Sequence, residues 1–140
     1  MPQWQLRIVY LATSALVLSG TIWLLLHYFA RAQSEFGPVP SAFEHPLLAI
    51  HGAAAMAFLI VLGSLLPVHL IRGWNQRRNL WSGITLLTIH AFLIVTGYGL
   101  YYFGGDLLRA WLSATHWIVG LSVAGLLAWH IVIGRSGRRR

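Results

Sequence analysis

The chain of 140 residues contains no cysteine, no lysine and only three acidic residues, Glu35, Glu44 and Asp106. Without thiols there are no disulfides, no thiolate-ligated iron–sulfur clusters and no covalent c-type haem attachment. Charged residues make up 9% of the sequence and apolar ones 57%, a balance unsuited to a soluble domain of this size. None of the three carboxylates lies inside a long apolar stretch, which counts against an ion pump built on membrane-buried Asp or Glu.

What is present is organised by that scarcity of charge. Four uncharged windows run over 8–30, 45–71, 79–105 and 110–134. Each exceeds the roughly 20 residues a helix needs to cross the hydrocarbon core of a bilayer. Crossings are expected to be helical, because lipid offers nothing to satisfy open backbone groups. The alternating segments of about ten residues that mark a transmembrane β-barrel are absent. The first window is too long and uniform for a signal peptide, whose apolar core runs about 7–15 residues, and no small-residue cleavage site follows it. It is expected to be a mature helix.

The net charge of +7 invites a nucleic-acid reading, but the arginines are distributed by membrane topology. Arg7, Arg72, Arg77, Arg78, Arg135, Arg138, Arg139 and Arg140 fall on one side of four crossings, and Arg31 and Arg109 on the other with all three acids. The positive-inside rule then puts both termini in the cytoplasm and, in a bacterium, the 31–44 and 104–110 loops in the periplasm. The tail "GRSGRRR" reads as a topology anchor beside anionic headgroups. No nucleic-acid partner is expected; membrane lipid is.

The expected fold class is an all-α membrane protein of one domain over 1–140. Its helices fall at about 6–30, 45–70, 80–103 and 111–134. Short connections favour antiparallel neighbours, hence an up-down four-helix bundle. The 31–44 loop, with prolines and a glycine, is expected to be irregular. Trp74, Trp81, Tyr101, Tyr102 and Trp111 sit near window ends, as interfacial aromatics do. No convincing internal repeat or low-complexity tract is seen.

Seven histidines in such a chain stand out, since ionisable residues within spans are costly and usually functional. His116 and His130 are 14 residues apart, within roughly 40° of one helix face and separated by about 21 Å of rise. His51 and His69 are 18 residues apart, on one face with about 27 Å of rise. Two parallel helices thus each carry an outer and an inner histidine. Such a constellation suits two stacked bis-histidine haems, His51 with His116 outside and His69 with His130 inside. Small residues lie where a porphyrin edge needs room: Gly52, Ala54 and Ala55 near His51, and Gly120 below His116. The helix 2 pair is about 6 Å further apart in rise than the helix 4 pair, and a kink at Pro67 would swing His69 back. His90, near mid-membrane on helix 3, is the alternative inner ligand. His27 and His45, at the outer interface, are expected to serve only interhelical hydrogen bonding.

With these residues in view, the chain resembles the bacterial cytochrome b561 and respiratory cytochrome b group of four-helix, di-haem membrane proteins. The resemblance rests on "HPLLAIHGAAAMAFLIVLGSLLPVH" (45–69), "TGYGLYY" (96–102) and "HWIVGLSVAGLLAWHIVIGR" (116–135), roughly two thirds of the chain. The 14-residue spacing in the last helix is its most specific element. Many relatives take an inner ligand from the cytoplasmic end of helix 1, and here "QWQLRIVYLATSAL" has no histidine, which points again to His69. The resemblance implies two non-covalent haem b groups relaying electrons across a bacterial inner membrane. The donor and acceptor would be a quinone pool and a periplasmic redox partner, a cytochrome c or superoxide. It also implies propionate contacts from Arg72 and Arg135 at the inner haem and from Arg31 and Arg109 at the outer. A homodimer and a subunit of a respiratory complex are both compatible with it. If the chain is an enzyme, it is an oxidoreductase acting with quinone.

Two readings of other classes compete. One is a histidine-lined metal or proton pathway; its spans, however, hold only Met56 and no carboxylate to share such a site. The other is a haem-free assembly subunit whose histidines are structural.

Overall fold

Lipid leaves a chain no alternative to internal backbone hydrogen bonding, and the four apolar windows do form four long helices. In the computed structural model these are α1 (Gln3–Phe29), α2 (Glu44–Leu65), α4 (Leu80–Tyr102) and α5 (Asp106–Ser136). All four are long and apolar enough to cross a membrane, so the chain is a multi-pass membrane protein by length and composition. The structure describes residues 3–35, 37–77 and 79–136, and of Val68, Arg135 and Ser136 only the backbone.

The chain divides between Val68 and His69 into two compact units, each built on a helical hairpin. In the first, α1 and α2 pack antiparallel: Ser19 meets His51, and His27, later on α1, meets the earlier Glu44. In the second, α4 and α5 do the same, with Ser82 against His130 and Thr96 against His116.

Packing inside the hairpins is polar and small. Among the described residues, the buried polar side chains are Gln5, Thr13, Ser19, Glu44, Ser82 and Thr96, against two large apolar ones, Phe58 and Val123. Lipid is as apolar as leucine, so nothing drives leucine inward. Close backbone approach and interhelical hydrogen bonds hold the pairs together instead. At Gly99 an added Cβ would stand 3.0 Å from Leu112 Cδ1, so glycine lets that side chain of α5 lie close against α4. Trp74, Trp81, Tyr101, Tyr102 and Trp111 are all exposed, as interfacial aromatics are.

Three local features depart from the sequence-based expectation. The 31–44 connection contains a short antiparallel ladder, β1 (Ala32–Ser34) with β2 (Gly37–Val39), paired Ala32↔Val39 and Ser34↔Gly37. Gly37 turns the chain at φ +108°, and the Ser34 hydroxyl donates to the Gly37 carbonyl at 2.8 Å. The last helix begins at Asp106 rather than 111. The left-handed Gly105 (φ +98°) closes the turn, and an acid in the first turn favours the helix N-terminus. The helical run of α2 ends at Leu65 and passes into a π turn, Leu66–Leu70, before the five-residue α3 (Ile71–Asn75). Pro67 has no N–H to continue the ladder. A π turn, not a simple kink, therefore carries His69, and the α-helical count that set its face stops at Leu65.

Candidate functional site

On α4, Ser82 and Thr96 are 14 residues apart; on α5, so are His116 and His130. Antiparallel packing brings the equal spacings into register. Ser82 Oγ lies 2.8 Å from His130 Nδ1, and Thr96 Oγ1 2.8 Å from His116 Nδ1. The first hairpin repeats the pairing once, with Ser19 Oγ 2.9 Å from His51 Nδ1. These hydroxyls are among the most buried groups in the protein, at 5% exposure or less.

Each hydroxyl has one proton, directed at its own helix. Ser19 donates to the Ala15 carbonyl at 2.6 Å, Thr96 to Phe92 at 2.9 Å and Ser82 to Asn79 at 3.1 Å. With that proton on its own helix, the hydroxyl oxygen accepts from Nδ1–H, which leaves the lone pair on Nε2. Such a ring is the form that ligates a metal, with its orientation fixed by a hydrogen bond from the other nitrogen. The His51 ring also hydrogen-bonds the Leu16 backbone.

A glycine follows each hydroxyl residue. A Cβ on Gly20 would stand 3.1 Å from His51 Cε1, one on Gly97 3.3 Å from His116 Cε1, and one on Gly83 3.9 Å from His130 Cε1. The dipeptides Ser19-Gly20, Ser82-Gly83 and Thr96-Gly97 thus repeat one pairing of an oxygen with a ring nitrogen, and at Gly20 and Gly97 the missing side chain also admits the ring, whereas at Gly83 the contact would be ordinary. Sequence reasoning passed over these six residues and saw no repeat. The signal was available in the recurring dipeptide and in the 14-residue interval shared by 82/96 and 116/130.

His69 is held differently. It is exposed on the π turn, and its ring stands 6.0 Å from that of His130, centroid to centroid, with the planes at 80°. Two imidazoles ligating one metal from opposite sides, each nitrogen about 2.0–2.1 Å from it, have centroids roughly 6 Å apart. His90, the alternative inner ligand, lies with Nδ1 2.7 Å from the Leu86 carbonyl of its own helix. His27 donates across the first hairpin to Glu44 Oε2 at 2.9 Å and stacks on Trp23, while His45 is exposed at the start of α2. Glu44 also accepts from the Ser41 backbone N–H at 3.1 Å, which fastens the end of the 31–44 connection.

The arginines expected near propionates have the following places. Arg31 Nε donates to the His27 carbonyl at 3.3 Å, and Arg109 Nη1 to the Leu100 carbonyl at 2.9 Å, each meeting an open carbonyl near a helix C-terminus. Arg72 is exposed on α3, three residues beyond His69. The Arg135 side chain lies outside the described residues, as do Arg78 and Arg138–Arg140. Of the small residues expected to make room near the histidines, Gly52 faces open space and Gly120 lies against Leu93.

Comparison of the chain with protein-family models, curated proteins and solved structures gives no match in any of the three.

Proposed function

We propose that the chain is a b-type di-haem membrane cytochrome that relays electrons across the bilayer between a quinone pool and a periplasmic redox partner, a cytochrome c or superoxide. His51 and His116 are the axial ligands of an outer haem, and His69 and His130 those of an inner one. Both termini lie in the cytoplasm of a bacterial inner membrane, following the arginine distribution.

The observation that carries the reading is a shared contact, Nδ1 of three histidines each 2.8–2.9 Å from a buried hydroxyl oxygen. Three buried hydroxyls stand against Nδ1 of His51, His116 and His130, and two glycines, Gly20 and Gly97, admit the rings of His51 and His116 at close range. An axial imidazole needs its ring oriented by a hydrogen bond at the other nitrogen, which is the arrangement all three histidines share. The donor set also suits a haem better than a bare ion. Within each hairpin, among the described residues, no three His, Cys, Asp or Glu converge to hold a metal. A haem asks the protein for two axial imidazoles only, and when bound it supplies the one-electron chemistry. The chain's own residues fix ring orientation, keep Nε2 unprotonated and surround the site with apolar helix faces.

The test is a redox-difference spectrum of purified protein with haem and metals quantified. The expected result is a b-type spectrum with two haems per chain. A colourless preparation from haem-replete cells defeats the reading. Copper or zinc without iron would instead favour the histidine-lined metal pathway.

A further inference from the structure

Three of the four proposed ligands are clamped, and one is not. Buried hydroxyls stand 2.8–2.9 Å from Nδ1 of His51, His116 and His130. The rings of His51 and His116 also lie against Gly20 and Gly97, where an added Cβ would come within 3.1 and 3.3 Å. Such rings cannot leave without parting two helices. His69 has neither feature. Its ring is exposed, and among the described residues it makes no hydrogen bond; its contact is with the His130 ring. A ligand whose outer nitrogen lacks a partner binds its metal about 10–100-fold less tightly.

The backbone that carries His69 differs as well. The other three histidines lie inside α2 and α5, whereas His69 sits on the π turn, Leu66–Leu70, outside all four long helices. A π turn holds one residue more than an α turn, and such turns recur at functional sites. Pro67, within it, has no N–H to bond the preceding turn. Were the surplus residue taken up before His69, so that α geometry ran through it, the ring would swing about 100° around the helix axis. The present separation from the His130 ring, 6.0 Å between centroids, suits one shared metal, and a swing of that size ends it. Apart from His69 the turn is apolar, Leu66, Pro67, Val68 and Leu70, which favours a neutral molecule soluble in lipid over an anion.

We infer that His69 is a detachable ligand, and that the inner site takes in its place a small neutral diatomic molecule of the class of carbon monoxide and nitric oxide. The exchange breaks the bond from the His69 imidazole to ferrous iron and forms one to the incoming molecule. No electron or proton is transferred, and His130 stays bound. Access to the sixth position of a haem decides whether it binds such molecules or only passes electrons. With the diatomic molecule held, the inner site stays reduced and the relay stops there, so the turn makes electron flow responsive to a dissolved gas. The inference rests on the cytochrome reading for its iron.

The experiment uses the full-length protein in phosphatidylcholine nanodiscs, reduced with dithionite and titrated with carbon monoxide, with haem quantified alongside. Difference spectra should show one of the two haems shifting saturably. His69→Ala should keep both haems, unlike His130→Ala, and its apparent affinity for carbon monoxide should rise about tenfold or more, because no ring competes for the position. Amide hydrogen exchange at residues 69–71 should quicken when carbon monoxide is added, while exchange around His116 stays unchanged. A red preparation whose spectrum carbon monoxide leaves untouched overturns the inference and leaves the cytochrome reading standing. A shift of both haems also overturns it, since the hydroxyl-held rings would then be no firmer than His69. So does a His69→Ala protein that keeps the outer haem and loses the inner one, which would make His69 a fixed ligand. The wild-type titration decides the matter even where His69→Ala fails to assemble. A colourless preparation defeats the cytochrome reading itself, and the inference with it.

Discussion

The two hairpins solve the same problem to different extents. In the second, two hydroxyls on α4 meet two histidines on α5, both pairs at 2.8 Å, because each helix repeats at 14 residues. In the first, only Ser19 and His51 are paired this way. Fourteen residues before Ser19, where the second hairpin has Ser82, the first has Gln5, also buried. Fourteen residues after His51 comes Leu65, the last residue of α2, and the histidine arrives four residues later on the π turn. The second hairpin thus fixes both histidines of α5 by helix packing alone. The first fixes His51 in the same way, while His69, which opens the second unit, depends on the turn around Pro67 and on the neighbouring ring of His130.

The largest expected effect comes from removing a ring. His116→Ala should lose one haem and His130→Ala the other, each leaving one haem per chain by pyridine haemochrome assay. Loss of both haems from either variant would mean that the histidines of the second hairpin do not act as two independent sites.

Next are the glycines, which rank by distance. Gly20→Ala places a Cβ 3.1 Å from the His51 ring and Gly97→Ala one 3.3 Å from His116, whereas Gly83→Ala meets His130 at an ordinary 3.9 Å. The first two should destabilise the folded protein by about 1–3 kcal/mol, as overpacking does, and the third by much less. Thermal unfolding in detergent measures this. Equal losses at all three positions would remove the close-approach argument.

The hydroxyls should act on electronics more than on folding. An interhelical hydrogen bond of this kind contributes about 0.6–2 kcal/mol. Taking the acceptor from Nδ1–H makes the imidazole a weaker donor to the metal and favours the reduced form. Ser82→Ala should raise one midpoint potential by on the order of 30–60 mV, and Thr96→Ala the other, with Thr96→Ser restoring it. Redox titration that finds both potentials moving together would show that the pairs are not separate devices.

The smallest effect concerns the turn between α4 and α5. Arg109→Ala removes the bond to the Leu100 carbonyl and should cost less than about 1 kcal/mol, read as a small shift in unfolding temperature without change in either potential. A shift of one potential would reassign Arg109 to a propionate.

Much of this was legible in the residues themselves. The uncharged windows fixed four helices, and the 14-residue interval put His116 and His130 on one face. Other features were not legible. The ladder at 32–39 depends on a cross-chain pairing that local composition does not report. The π turn arises because Pro67 interrupts the ladder, and proline alone does not distinguish a kink from a π turn. The serines and threonine were hidden because hydroxyl residues are ordinary in transmembrane helices, and their meaning lies in a partner 20 to 48 positions away.

The sequence by itself determined four helices long and apolar enough to cross a membrane, and on which helix and at what phase most of its histidines lie. Lipid forces helical geometry on any apolar window, and a helix converts residue number directly into position. Only the tertiary structure decided which imidazole nitrogen faces which oxygen, and that His69 lies beside His130. Those facts depend on how closely two helices approach and in what register, which is set by glycines and hydroxyls meeting across a hairpin rather than by any one helix.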